Sequence, residues 1–211
     1  MNGRVPALAV LLLTASLLHA QRWADSVRYS GAYEFRDGIY LDFQAFRNNA
    51  PSIPFAALTT AQGQRVTDLR STNGKLFLPD SAGQPQRVDL DRSWGFCEKG
   101  VVYVRAGNGF SRIGLMGALA HLVFDATYRN FDPYMGGGHA TYTVEEQRFL
   151  DMATGAFLPV SAAGIRQVLE RDALLLEEFD ALRKKEQRRP ATIFLFMRRY
   201  NDRHPLYFPA E

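Results

Sequence analysis

Past residue 20, chemistry in this chain would have to come from three dispersed histidines, one cysteine and one aromatic segment. His121, His139 and His204 lie far apart in sequence, and Cys97 is the only thiol. Zinc sites need clustered ligands, and the chain has no HExxH, CxxC or His-x-His spacing. No metal and no cofactor is expected. A nucleophilic cysteine needs an adjacent base. No histidine can be placed beside Cys97, so it reads as a small apolar core residue. Gly136-Gly137-Gly138-His139-Ala140 lacks the lysine of a phosphate loop, and Gly107-Asn108-Gly109 lacks a third glycine and a following helix. The run Gly109 to Gly114 around Ser111 has one residue too many for a nucleophile elbow. Glu145 and Glu146 are neighbours on a predicted strand, so they point to opposite faces and cannot flank one substrate.

The segment from Tyr128 to His139 is the best binding candidate. It reads as a long loop within 126–141, and loops of that length usually have a function or are disordered. Tyr128, Arg129, Tyr134 and His139 could stack on a sugar ring or a peptide.

The elements that position these residues follow from hydrophobic period. Ile39-Tyr40-Leu41 reads as a strand. Asp42 can cap a short helix carrying Phe43 and Phe46, which Pro51 ends. Strand patterns then recur at Gln64 to Leu69, Lys75 to Leu78, Gln84 to Leu90, Trp94 to Cys97, Val101 to Arg105, Phe110 to Leu115 and Ala118 to Phe124. Asn73-Gly74 suits a tight hairpin. Tyr142 to Leu150 and Gly155 to Leu158 read as a last pair. Turns of two to four residues leave no room for crossovers, so the pairing is predicted antiparallel. Alternation places Trp94 and Phe96 on one face and Cys97 on the other, and Val102 with Val104 opposite Val101 and Tyr103. Strands apolar on both faces imply a curled or barrel-like sheet, or one covered by helices.

The period changes after residue 160. Ser161 can cap a helix with Ile165, Val168 and Leu169. Asp172 can cap a second, with Leu175, Phe179 and Leu182. Pro190 fits the first turn of a third, with Ile193, Phe196, Met197 and Tyr200. The predicted fold is α+β: an antiparallel curled or barrel-like sheet followed by two or three C-terminal helices. The segments are 1–20, a lead-in arm at 21–36, the β domain at 37–158 and a helical segment at 159–211 packed on the sheet.

Residues 1–20 read as a signal peptide. Arg4 precedes an apolar stretch from Val5 to Leu18, and cleavage is expected after Ala20. The stretch is short of the ~20 residues that span a bilayer, and no later run approaches that length. No transmembrane segment is expected after cleavage. The expected address is the periplasm or the medium. One cysteine allows no internal disulfide, so packing must hold the domain. The sequence has 25 basic and 22 acidic residues. That balance argues against nucleic acid. The basic excess gathers at Arg183 to Arg189, a solvated helix end or a patch for an acidic partner.

Asp37-Gly38-Ile39-Tyr40-Leu41-Asp42-Phe43, Phe46 to Ser52, Trp94-Gly95-Phe96-Cys97 before Val102-Tyr103-Val104, Leu169 with Asp172, and Tyr200-Asn201 form a set. In these phrases the chain resembles short secreted proteins of Bacteroidetes-type bacteria. The resemblance implies an exported protein with a sheet followed by helices, and it implies no activity. The expectation is therefore an exported, non-catalytic cell-envelope protein that binds a small-molecule ligand or a protein partner. Two alternatives are a hydrolase with a dispersed site, using His121 or His139 as base, and a small outer-membrane barrel of eight strands.

Overall fold

The computed structural model describes residues 25–69, 75–131 and 139–210. The expected signal peptide, the Asn73-Gly74 turn and Tyr134 lie outside them. Eight strands form one antiparallel sheet in the order β11-β10-β9-β8-β7-β6-β2-β3. They are β2 (Gly38–Tyr40), β3 (Ile53–Pro54), β6 (Gly95–Glu98), β7 (Val101–Ala106), β8 (Gly109–Leu115), β9 (Leu119–Phe131), β10 (His139–Asp151) and β11 (Phe157–Pro159). Two small antiparallel pairs flank it. β4 (Leu76–Pro79) pairs with β5 (Pro85–Val88), and β1 (Ser26–Arg28) pairs with β12 (Tyr207–Pro209). The fold is α+β, with most of its helix near the C-terminus. The barrel-like expectation is corrected: β3 and β11 are two separate edges, so the sheet is open. Helices and the segment before β6 bury its apolar faces instead of closure.

One face is packed by the chain's two ends. Cys97, Val102, Val104, Ile113, Ala120, Leu122 and Leu150 form a cluster with Tyr40, Phe46, Leu206 and Phe208. Phe46 comes from α1 (Phe43–Arg47), whose cap is the expected one: Asp42 Oδ1 accepts from the Ala45 N–H at 2.7 Å. Asn49 then closes the turn, its Oδ1 accepting from Arg36 N and Tyr40 Oη and its Nδ2 donating to Glu34 O. Tyr29, Tyr33 and Phe35 pack around Phe208, so the lead-in arm is held by the last strand.

The opposite face has two covers. Over β2, β6 and β7, the segment 55–90 packs Leu58, Val66, Leu69, Leu76 and Val88 on Ile39 and Phe96. The buried Glu98 carboxylate accepts the Leu69 N–H at 2.6 Å and fixes that cover to β6. Gln64 to Leu69 forms no strand; Arg65 makes only a single bridge to Thr59. The Trp94 expectation also fails. Trp94 stacks on Phe46, while Phe96 stacks on Tyr103 across the sheet. The Trp94 N–H is shared between the carbonyls of Tyr40 and Leu41, which interrupts alternation just before β6.

Over β9, β10 and β11 the cover is helical. α2 (Ala162–Leu169) is capped by Ser161, α3 (Ala173–Asp180) by Asp172, and α5 (Pro190–Arg203) starts with Pro190. A one-turn α4 (Lys184–Gln187) lies between the last two, so four C-terminal helices replace the expected two or three. Gln187 is buried there with its polar end satisfied: Nε2 donates to the carbonyls of Phe179 and Leu182 at the end of α3. Ile165, Val168, Leu175, Phe179, Ile193, Phe196 and Met197 bury Leu119, Phe149 and Leu158. Asn201 docks α5 on the sheet: its Oδ1 accepts the Leu119 N–H at 2.7 Å and its Nδ2 donates to the Leu119 carbonyl at 2.9 Å. Gly117 makes that approach available, since a Cβ there would lie within 2.5 Å of the Asn201 amide.

Candidate functional site

Two regions remain after the core is accounted for: an arm formed by β9 and β10, and a cleft at its base. The loop expectation over 126–141 is corrected. β9 and β10 pair without a register shift from Leu119↔Asp151 to Phe131↔His139. Residues on both sides of the gap are strand formers (Thr127, Tyr128, Thr141, Tyr142, Thr143), and cross-strand pairing overrides the local turn signals.

Tyr128 is exposed on β9 and stacks on Tyr142 directly opposite, with ring centroids 5.6 Å apart. Its hydroxyl donates to Glu146 Oε1, and Glu146 Oε2 receives Arg148 Nη2 at 2.7 Å. Val144 is exposed on the same face. Arg129 is opposite Thr141, on the other face with Thr127, Thr143 and Glu145. Thr127 and Thr143 share a hydroxyl hydrogen bond at 3.1 Å. The backbone of His139 opens β10 opposite Phe131. Tyr128, Arg129 and His139 are thus on one ribbon, though Tyr128 and Arg129 face opposite ways. Glu145 and Glu146 also face opposite ways, as alternation requires. The signal that sequence reasoning missed is the Tyr142-Val144 spacing, which pairs with Tyr128 and Ala126 once the two strands are put in register.

The cleft has a volume of about 480 Å³ and is lined by Gln147, Val160, Ser161, Ala162, Arg188, Pro190, Ile193 and Phe194. Its walls are apolar with a few polar groups, the usual composition of a small-molecule site. Both α2 and α5 begin at it. His121 stands behind it, 3.2 Å from Gln147 Oε1 through Nε2 and edge-on to Phe194 at 5.0 Å. Ser161 Oγ is occupied by the Gly164 N–H that it caps.

The hydrolase alternative needs a histidine beside a nucleophile or a carboxylate in this cleft. His121 meets an amide. His204 Nε2 does lie 2.9 Å from Asp172 Oδ2, but Asp172 also receives Arg203 Nε at 2.6 Å and caps α3. Neither residue lines the cleft. That pair ties α5 to α3. Ser111 pairs with Val104 inside β8, away from any strand-to-helix turn. Cys97 is fully buried and its Sγ donates to the Phe35 carbonyl. Burial, reinforced by Asp37, pushes its thiol up to about 12. In the native state it should therefore resist thiol reagents at pH 8 and react only on unfolding. Cys97→Ala should cost about 1 kcal/mol, the scale of one small deletion in a packed core. Thiol titration with and without denaturant, and melting of the variant, check both results.

Among the described residues no group of three or more His, Cys, Asp or Glu side chains is placed to hold a metal ion. No helix among them is long and apolar enough to cross a membrane. Comparison of the chain with protein-family models, curated proteins and solved structures finds no match. The functional reading therefore rests on geometry.

Proposed function

We propose that the chain is an exported cell-envelope protein that binds a protein partner through the β9–β10 arm. The observation that carries this reading is the exposed row of Tyr128, Tyr142 and Val144 on a ribbon that runs past the rest of the sheet. β11 covers β10 only from Arg148 to Leu150, and β8 pairs with β9 only near His121 and Leu122. Aromatic side chains held rigid by stacking are good binding anchors, because they bury large area at little entropic cost. The apolar stretch at Val5 to Leu18 and the resemblance to secreted proteins support export. The cleft at Gln147 and Arg188 supports a second reading, a small-molecule ligand with an apolar body.

The test is paired capture from envelope extract with the wild-type chain and with Tyr128→Ser/Tyr142→Ser. The double variant removes an exposed stack worth about 0.5–1.5 kcal/mol and should melt within a few degrees of wild type. Its yield of partner should fall about tenfold or more, as for loss of a central aromatic anchor. Undiminished capture by the folded variant overturns the role of the arm. Retention of a small molecule by both forms would move the site to the cleft.

A further inference from the structure

We propose that the partner on this arm is a second copy of the same chain, joined edge to edge through β10 about a two-fold axis at Thr143. The proposal rests on the arm being the binding element and adds the occupant and the register. β9 occupies one edge of β10 along its whole length, while on the other edge β11 takes only Arg148, Phe149 and Leu150. Among the described residues no strand pairs with the outer edge from His139 to Gln147. An open edge presents unpaired N–H and C=O groups and is a template for another strand. Edges meant to stay single are usually blunted by charged side chains, lysine above all, by proline or by a bulge. This stretch contains no proline or lysine, its two charges, Glu145 and Glu146, lie toward its β11 end, and its ladder with β9 has no register shift.

The outer edge of β10 sets its own register. It spans residues 139–147, and its midpoint is Thr143. Antiparallel pairing about Thr143 uses the whole edge, and any other centre shortens the overlap. In this register Thr143 faces Thr143 of the second copy, Tyr142 faces Val144, and Glu145 faces Thr141. Tyr142 and Val144, both exposed on one face, then form two aromatic to β-branched pairs, which are favourable across strands. No like charges meet. Moving the centre to Glu145 would set two carboxylates directly opposite each other, a destabilising arrangement. The result is a continuous four-stranded ribbon in which the Tyr128–Tyr142 stacks of both copies cover one face.

The experiment is disulfide mapping with light scattering on the mature chain. Native Cys97 is buried and stays silent. Wild type should be a dimer. Thr143→Cys should cross-link to itself under mild oxidation. Thr141→Cys and Glu145→Cys should each stay uncrosslinked alone and cross-link when mixed. Thr143→Lys, at an exposed position, should stay folded with a cooperative melt and weaken the dimer by up to about fivefold, the effect of one like-charge pair. Mixing it with Thr143→Glu should restore association. A monomeric wild type overturns the proposal, as does Thr143→Cys cross-linking no better than Glu170→Cys on the far helical layer. If the chain is monomeric yet Tyr128→Ser/Tyr142→Ser still loses an envelope partner, the self-pairing fails while the arm remains the binding element.

Discussion

A chain ending at Val160 is expected to be insoluble and to show no cooperative melt. Removing residues 161–211 strips the helical cover from Leu119, Phe149 and Leu158. It also removes Leu206 and Phe208 from the other face, and with them the strand that pairs with β1. Each buried side chain of that size contributes about 1.5–3 kcal/mol. The burial lost with Ile165, Val168, Leu169, Leu175, Phe179, Ile193, Phe196 and Met197, about 12–24 kcal/mol in gross terms, is comparable to or larger than the ~5–15 kcal/mol by which a domain is stable. The measurement is solubility and calorimetry of the truncated chain. A soluble product with a sharp transition would show the helices to be a separate module and would overturn the two-sided core described above.

Asp172→Ala is expected to be the most damaging polar substitution. The Asp172 side chain is almost fully buried, caps the N–H of Leu175, and receives Arg203 and His204. The variant loses a helix cap worth about 1 kcal/mol and charge-assisted bonds worth about 2 kcal/mol, since Arg203 is half-exposed and can be rehydrated. A drop of about 3 kcal/mol corresponds to roughly 6–12 °C in a domain of this size. Asp172→Asn keeps the cap and should recover about a third of the loss. The pH dependence follows from the Arg203 guanidinium, whose hydrogen bond holds the Asp172 carboxyl far below the usual carboxylate range, with His204 adding to it. The unfolded carboxyl titrates near pH 4. The stabilisation is therefore complete above about pH 4 and is lost as pH falls toward the folded value. Wild type and Asp172→Asn should differ by a constant amount from pH 7 to about pH 5 and converge in acid. A gap that closes on raising the pH would contradict this assignment.

The local signals were legible where one residue does one local job. Asp42, Ser161 and Asp172 are cap residues by type and position, and each accepts the N–H three residues on. Pro190 stands in the first turn, where its missing N–H costs nothing. Hydrophobic period located β6 to β8 because two apolar rows alternate there: Cys97, Val102 and Val104 on one face, Phe96 and Tyr103 on the other. Trp94 broke the rule because a shared N–H just outside the strand rotates it to the other face, and a period-two pattern carries no mark of that. The candidate site was legible only as a region. The side-chain types of Tyr128, Arg129 and His139 mark the region, but a loop assigns them no faces. Pairing with β10 gave them faces and brought Tyr142 and Val144 beside Tyr128.

Composition and period thus determined the class of this protein: antiparallel strands first, capped helices last. Tertiary structure decided the rest. Whether a two-faced apolar sheet closes on itself or is covered depends on what segments distant in sequence can reach. Here α1, the 55–90 segment, the helices and β12 reach it, so the sheet stays open. An open sheet keeps edges, and among the described strands the outer edge of β10 meets β11 only from Arg148 to Leu150, a property of three strands together. No single strand carries that information, because an edge is defined by the neighbour it lacks.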